Sequence, residues 1–136
     1  MLHKKKQKII TTALETVDSM EFAYIHGSAV YADKYHDIDI AIFLTPLKFK
    51  EIMGKASITL DMLMPLENNL EHALHVPVDV QVLNNAPLSF RYTVVNKNIV
   101  LIDKNPLLRE QFELLSRVEY YDFRPRIEEY IREALA

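Results

Sequence analysis

The chain has 136 residues, 49% hydrophobic and 26% charged, enough for one globular domain over residues 1–136 that closes its core without cross-links. Cysteine is absent, which excludes disulfides and thiolate metal sites and agrees with a reducing compartment. The formal net charge of -3 argues against stable nucleic-acid binding, which needs a basic surface, but leaves room for a small anionic substrate held with the help of a metal.

The opening MLHKKKQKII is basic without an apolar signal region behind it, and no later run has the length of a membrane span. A cytoplasmic protein with no membrane attachment is expected. Lys4, Lys5, Lys6 and Lys8 read as a solvated helix face. From Lys4 to about Ser19, the residues Ile9, Ile10, Ala13, Leu14 and Val17 recur at helical spacing and predict an amphipathic helix. Phe22 to Ile25 is a short apolar run ending at Gly27, as a buried strand would. Asp37 to Leu44 alternates acidic and apolar residues before Pro46 and predicts a second strand.

Between Lys48 and His75 the pattern is helical but interrupted, with Leu66, Leu70, Ala73 and Leu74 forming a face after Pro65. Pro77 ends that stretch, and Val78 to Leu83 alternates as a third strand. Pro87 opens a short helix through about Val95, and Ile99 to Ile102 predicts a fourth, edge strand. The last third is helical in character, and Pro125 is expected to kink or divide it. Beyond that proline, Ile127, Tyr130, Ile131, Ala134 and Leu135 give a second apolar stripe. No repeat or interdomain linker interrupts the order. The elements imply an α/β (α+β) domain in two or three layers, a small mixed sheet flanked by helices with a helical C-terminal tail.

Strand side chains alternate between faces, so Asp37 and Asp39 point the same way while Ile38, Ile40 and Ile42 point into the opposite layer. Asp79 is a lone acid in another apolar strand. If these strands are neighbours, three carboxylates converge, and one must keep its proton unless a cation intervenes. Mg²⁺ fits, because it takes a few carboxylates and completes its shell with water and phosphate oxygens. A phosphorylated ligand has a place at Gly27 and Ser28: the glycine allows close backbone approach, and the serine offers a hydroxyl at the start of a helix-permissive Ala29 to Ala32.

In this order, Gly-Ser, a short spacer, Asp-x-Asp and a later strand carboxylate, the chain resembles the DNA polymerase β superfamily of nucleotidyltransferases, and most closely its minimal, single-domain prokaryotic members. Residues 78–101 resemble their third strand with the helix and strand that follow, and residues 119–126 their C-terminal tail. The resemblance implies the palm-like nucleotidyltransferase fold, phosphate contact by Gly27 and Ser28, and metal binding by Asp37 and Asp39. Asp79 would join one metal of a two-metal site and help deprotonate the attacking hydroxyl. It further implies ATP as donor and AMP transfer to a tyrosine hydroxyl of a HEPN-type toxin, for which such proteins are antitoxins. The spacer of residues 29–36 is shorter than the family's usual one and lacks its common small and glycine residues, which implies a tighter phosphate loop or a defective one.

Two alternatives stand beside protein adenylylation. One is an antitoxin with weak or no activity that neutralises its partner by docking alone. The other is a transferase for small hydroxylated molecules, against which the short chain counts. Oligomeric state, including a homo-oligomer, stays open. His72 and His75 read as a solvated helix end, His26 as a packed strand-end histidine, and Lys34, Arg91 and Lys97 as surface cations that could instead touch phosphate. Tyr120, Tyr121, Phe123 and Tyr130 fit equally a partner interface and a cover for the domain's own core.

Overall fold

The computed structural model describes residues 2–53 and 62–135. Residues 54–61, inside the interrupted helical stretch expected over 48–75, lie outside the described residues. In chain order the elements are helix α1 (Lys4–Leu14), strand β1 (Met20–His26), a 3-10 turn (Gly27–Val30), strand β2 (Ile38–Leu44), helices α2 (Pro46–Met53) and α3 (Met64–Leu74), strand β3 (Val78–Val82), helix α4 (Leu88–Asn96), strand β4 (Ile99–Asp103) and helix α5 (Pro106–Leu135). The strands form one sheet in the order β3-β2-β1-β4. β1 runs antiparallel to both β2 and β4, while β2 and β3 are parallel, so the sheet is mixed as expected and β4 lies at an edge.

β1 and β2 divide their side chains between two cores, and β3 and β4 add to the first of them. Ile25, Ile38, Ile40, Ile42, Val78 and Val80 pack with Ile10 and Leu14 of α1 and Leu66, Leu70 and Leu74 of α3 on one face. On the other, Phe22, Tyr24, Ala41 and Phe43 meet Val94 and Val95 of α4 and Phe112 of α5. Three layers result, the larger of the two arrangements the sequence allowed. Phe22 lies flat on Phe43 with centroids 4.7 Å apart, and Phe112 closes against both. A parallel pair cannot be joined by a tight turn, and the crossover from β2 to β3 brings α3 onto the first face.

Three boundaries differ from expectation. α1 stops at Leu14 rather than running to Ser19, because Thr16 Oγ1 donates to the Ala13 carbonyl at 2.7 Å and Val17 N–H donates to that of Leu14 at 2.9 Å, tightening the chain into a turn. β2 begins at Ile38, so Asp37 stands one residue ahead of the strand. Pro125 does not divide the last helix: α5 continues through it for 30 residues. The Tyr121 carbonyl loses its helical donor there, but residues 121–126 are exposed and water can replace it. The stripe expected beyond the proline faces outward, Tyr130 being 74% exposed, and the Ile127 side chain lies outside the described residues.

The aromatic tail divides between both of its readings. Tyr120 stacks on Tyr92 of α4 at 3.8 Å, and Arg91 pairs with Glu119 at 3.2 Å, so this part covers the domain itself. Tyr121, Phe123 and Tyr130 are exposed.

A buried polar link ties α5 to the sheet. Tyr24, wholly buried in β1, donates its hydroxyl to Glu113 Oε2 at 2.8 Å, and Arg109 bridges Glu113 and Asp103 at the end of β4. Burial, then the hydrogen bond to Glu113, raises the phenol far above its ordinary range. The unfolded phenol therefore ionises first, and stability present below about pH 10 is lost as pH rises beyond it. Tyr24→Phe is expected to destabilise the fold by about 1–2 kcal/mol, since Glu113 keeps Arg109, and to weaken this alkaline decline. Urea unfolding at pH 7 and pH 10.5 checks both effects.

Candidate active site

The acids identified in the sequence meet at one end of the sheet because of strand register. His26, the last residue of β1, pairs with Asp39 of β2, and Asp39 pairs with Asp79 of the parallel β3. A single row across three strands thus reads His26, Asp39, Asp79. Their neighbours Ile25, Ile38, Ile40, Val78 and Val80 are buried on the α1/α3 face, so all three side chains project to the α4/α5 face. Asp37, ahead of the strand, is exposed beside them.

Gly27 completes the row. Its φ of +76° lies in the left-handed region, and a Cβ there would collide with Asp39 Oδ2. The main chain therefore passes directly against the Asp39 carboxylate, which only a glycine permits. Ser28 follows half-buried in the 3-10 turn, its carbonyl accepting from Tyr31 N–H at 3.2 Å and Ala32 N–H at 2.8 Å. The expected helix after Gly-Ser is this one short turn.

Burial raises the Asp39 carboxyl above the usual carboxylate range, and the charges of Asp37 and Asp79 raise it further. Like charges thus converge on the most shielded acid of the set. Asp79 is exposed and accepts from Gln81 Nε2 at 2.9 Å. Among the described residues, no three acidic or histidine side chains stand in metal-ligating geometry. In donor chemistry the set is nonetheless of the hard, all-oxygen kind that suits Mg²⁺.

His26 is buried edge-on to Phe90 of α4, with centroids 5.3 Å apart, as the packed histidine expected. Its Nε2 has no hydrogen-bond partner among the described residues. Burial lowers its basicity, opposed by the charge of Asp79. Two further acids escaped sequence reading. Glu71 accepts from Val78 N–H at 2.9 Å, and Glu67 accepts from the Val80 backbone, so α3 caps the open edge of β3 beside Asp79. Burial, with the charges of Asp79 and Glu71, raises Glu67. Their i,i+4 spacing was the available signal, but only the sheet order shows what they face.

The other candidates separate. Arg91 is committed to Glu119, Lys34 is exposed, and Lys97 Nζ lies 3.8 Å from the Tyr31 ring centroid. His72 and His75 are exposed at the end of α3. A cavity of 380 Å³ lined by Thr16, Asp18, Lys48, Leu66 and Asn69 lies at the opposite end of β1 and β2 from the acids. No described helix is long and apolar enough to cross a membrane.

Solved structures share this architecture. A chain from the complex of tri-AMPylated Shewanella oneidensis HEPN toxin with MNT antitoxin superposes with a TM-score of 0.74 at 20% identity, covering 98% of each chain. A chain of the toxin-antitoxin MntA-HepT gives 0.73 at 18% identity over 98% of this chain and 100% of that one. A chain of a toxin-antitoxin structure with AMP-PNP gives 0.75 at 20% identity over 96% and 98%. No curated protein sequence matches significantly. The family model described as "Polymerase beta, Nucleotidyltransferase" matches residues 7–107, which include all three aspartates and the Gly27–Ser28 turn. With most of its length matched, the chain belongs to the polymerase β nucleotidyltransferase family.

Proposed function

We propose that the chain is a Mg²⁺-dependent nucleotidyltransferase that moves AMP from ATP to a tyrosine hydroxyl of a HEPN-type toxin, acting as its antitoxin. The observation that carries the reading is the register that sets Asp39 beside Asp79 and against the Gly27 main chain. The solved relatives lend support, one a complex with an AMPylated HEPN toxin and another a complex with AMP-PNP.

Asp37, Asp39 and Asp79 would hold the metal. When bound, Mg²⁺ supplies neutralisation of the carboxylates and of the phosphate charge. Gly27 gives a phosphate room to approach the main chain, and Ser28 offers its hydroxyl to it. Asp79, the exposed acid on β3, takes the proton of the acceptor hydroxyl. The acceptor oxygen then forms a bond to the α-phosphorus, the bond from that phosphorus to the bridging oxygen breaks, and pyrophosphate leaves. His26 packs edge-on against Phe90 and holds the β1 end of the row in place.

The short spacer, residues 29–36, favours one second reading, neutralisation by docking without transfer. Incubation with ATP, Mg²⁺ and a HEPN-type toxin separates the two. Transfer adds the mass of AMP to a partner tyrosine. Complex formation with no added mass leaves the docking reading, and absence of both removes the partner assignment.

A further inference from the structure

We propose that Lys97, seated over the ring of Tyr31, binds the polyphosphate tail of the nucleotide and makes the site select a triphosphate over a monophosphate. The inference rests on the nucleotide-transfer reading and deepens it. Its basis is the order of groups across the end of the sheet. β1 is flanked by β2 on one side and by β4 on the other. Toward β2, Gly27 abuts Asp39. Toward β4, Ile25 pairs with Ile99 in an antiparallel ladder. Two residues further along each chain, in opposite senses, stand Gly27 and Lys97. The Gly27–Ser28 turn therefore lies between a carboxylate side and an ammonium side.

Tyr31 couples the lysine to the turn. Its N–H donates to the Ser28 carbonyl at 3.2 Å, which fixes the residue at the end of the turn, and Lys97 Nζ sits 3.8 Å from its ring centroid. No carboxylate pairs with Lys97 among the described residues, whereas Arg91, in the helix that ends just before Lys97, is committed to Glu119. A ring face holds a cation by its quadrupole while leaving the charge uncompensated, so the ammonium stays available to an anion.

The charges of the ligand match this polarity. A nucleotide whose α-phosphate lies over the carboxylates, where the metal would be, still carries most of its charge on the β- and γ-phosphates. Those groups need a cation beyond the reach of Asp37, Asp39 and Asp79, and Lys97 supplies it from the far side of the glycine. In transfer, the same contact would hold the departing pyrophosphate. A monophosphate has no tail to reach it.

Calorimetric titration of the full chain with ATP and with AMP, both in Mg²⁺, tests the inference. Lys97→Gln is expected to weaken ATP about tenfold, the scale of one lost charge-assisted contact, and to leave AMP unchanged. Lys97→Arg should retain most of the ATP affinity. Lys104→Gln, an exposed charge at the other end of β4, should change neither ligand. Equal ATP binding by the native chain and Lys97→Gln overturns the inference alone, as does a parallel loss of AMP or an equal loss in Lys104→Gln. Failure of the native chain to bind ATP overturns the nucleotide-transfer reading, and this inference with it.

Discussion

Replacing Asp39 with asparagine is expected to lower nucleotide transfer by about 10²–10³-fold while leaving the fold at least as stable as before. The two effects come from one feature of the residue. Asp39 is the most shielded acid of the row, and burial together with Asp37 and Asp79 holds its carboxyl above the usual range. The folded chain thus binds that proton more tightly than the unfolded chain does. Stability present below the ordinary carboxylate range is lost as pH rises through the raised value, so at neutral pH the ionised group opposes the metal-free fold. Asparagine keeps the shape and removes that charge, and with it the affinity for a divalent cation.

Melting curves and transfer of labelled AMP, each with and without Mg²⁺, check the prediction. The native chain should gain stability from Mg²⁺, and Asp39→Asn should not. An asparagine variant that melts well below the native chain would mean that Asp39 is structural. Transfer at the native rate would remove it from the site.

The alternation of Asp39 with Ile38, Ile40 and Ile42 was legible in the sequence because β2 lies inside the sheet, with one face in the aliphatic core and the other carrying the acid. Asp79 was legible through its flanking Val78 and Val80, because β3, although an edge strand, buries one face in the same core. The boundaries set by local chemistry were less so. The alternating pattern extends to Asp37, yet the ladder from β3 starts with the pair Ile38 and Val78. The helical reading past Leu14 followed Val17, whose spacing fits a helix, but Thr16 bonds its own chain instead. Pro125 breaks helices where the freed carbonyl is buried, and its exposure depends on the packing of the whole domain.

What sequence could not supply were relations between distant segments. That Asp39 pairs with Asp79 depends on a parallel crossover whose register no local pattern sets. The contact between Gly27 and Asp39 joins the end of one strand to the start of the next, and the approach of Lys97 to Tyr31 joins residues 66 positions apart. Glu67 and Glu71 were ordinary helix acids until the sheet order placed β3 beside them. The polar residues of the site came from composition and spacing, whereas the geometry that gives them a common chemistry came from tertiary pairing.

Gly27→Ala is expected to reduce transfer far more than stability, and the difference between the two losses is the test. The backbone cost is that of a side chain at φ +76°, about 1–2 kcal/mol. A methyl group would also collide with Asp39 Oδ2, and the part able to yield is the carboxylate, since the strand behind it is locked between β1 and β3. Moving that carboxylate by about 1 Å displaces a proposed metal ligand and narrows the approach for phosphate, a misplacement that costs about 10²-fold in rate. The variant should therefore fold, melt a few degrees lower, and lose about 10²-fold in AMP transfer at saturating ATP. Crystals of Gly27→Ala should show Asp39 in a changed rotamer. Should the variant keep its transfer rate while losing stability by the backbone cost alone, the contact between turn and carboxylate would be one of packing, and the phosphate would have to approach elsewhere.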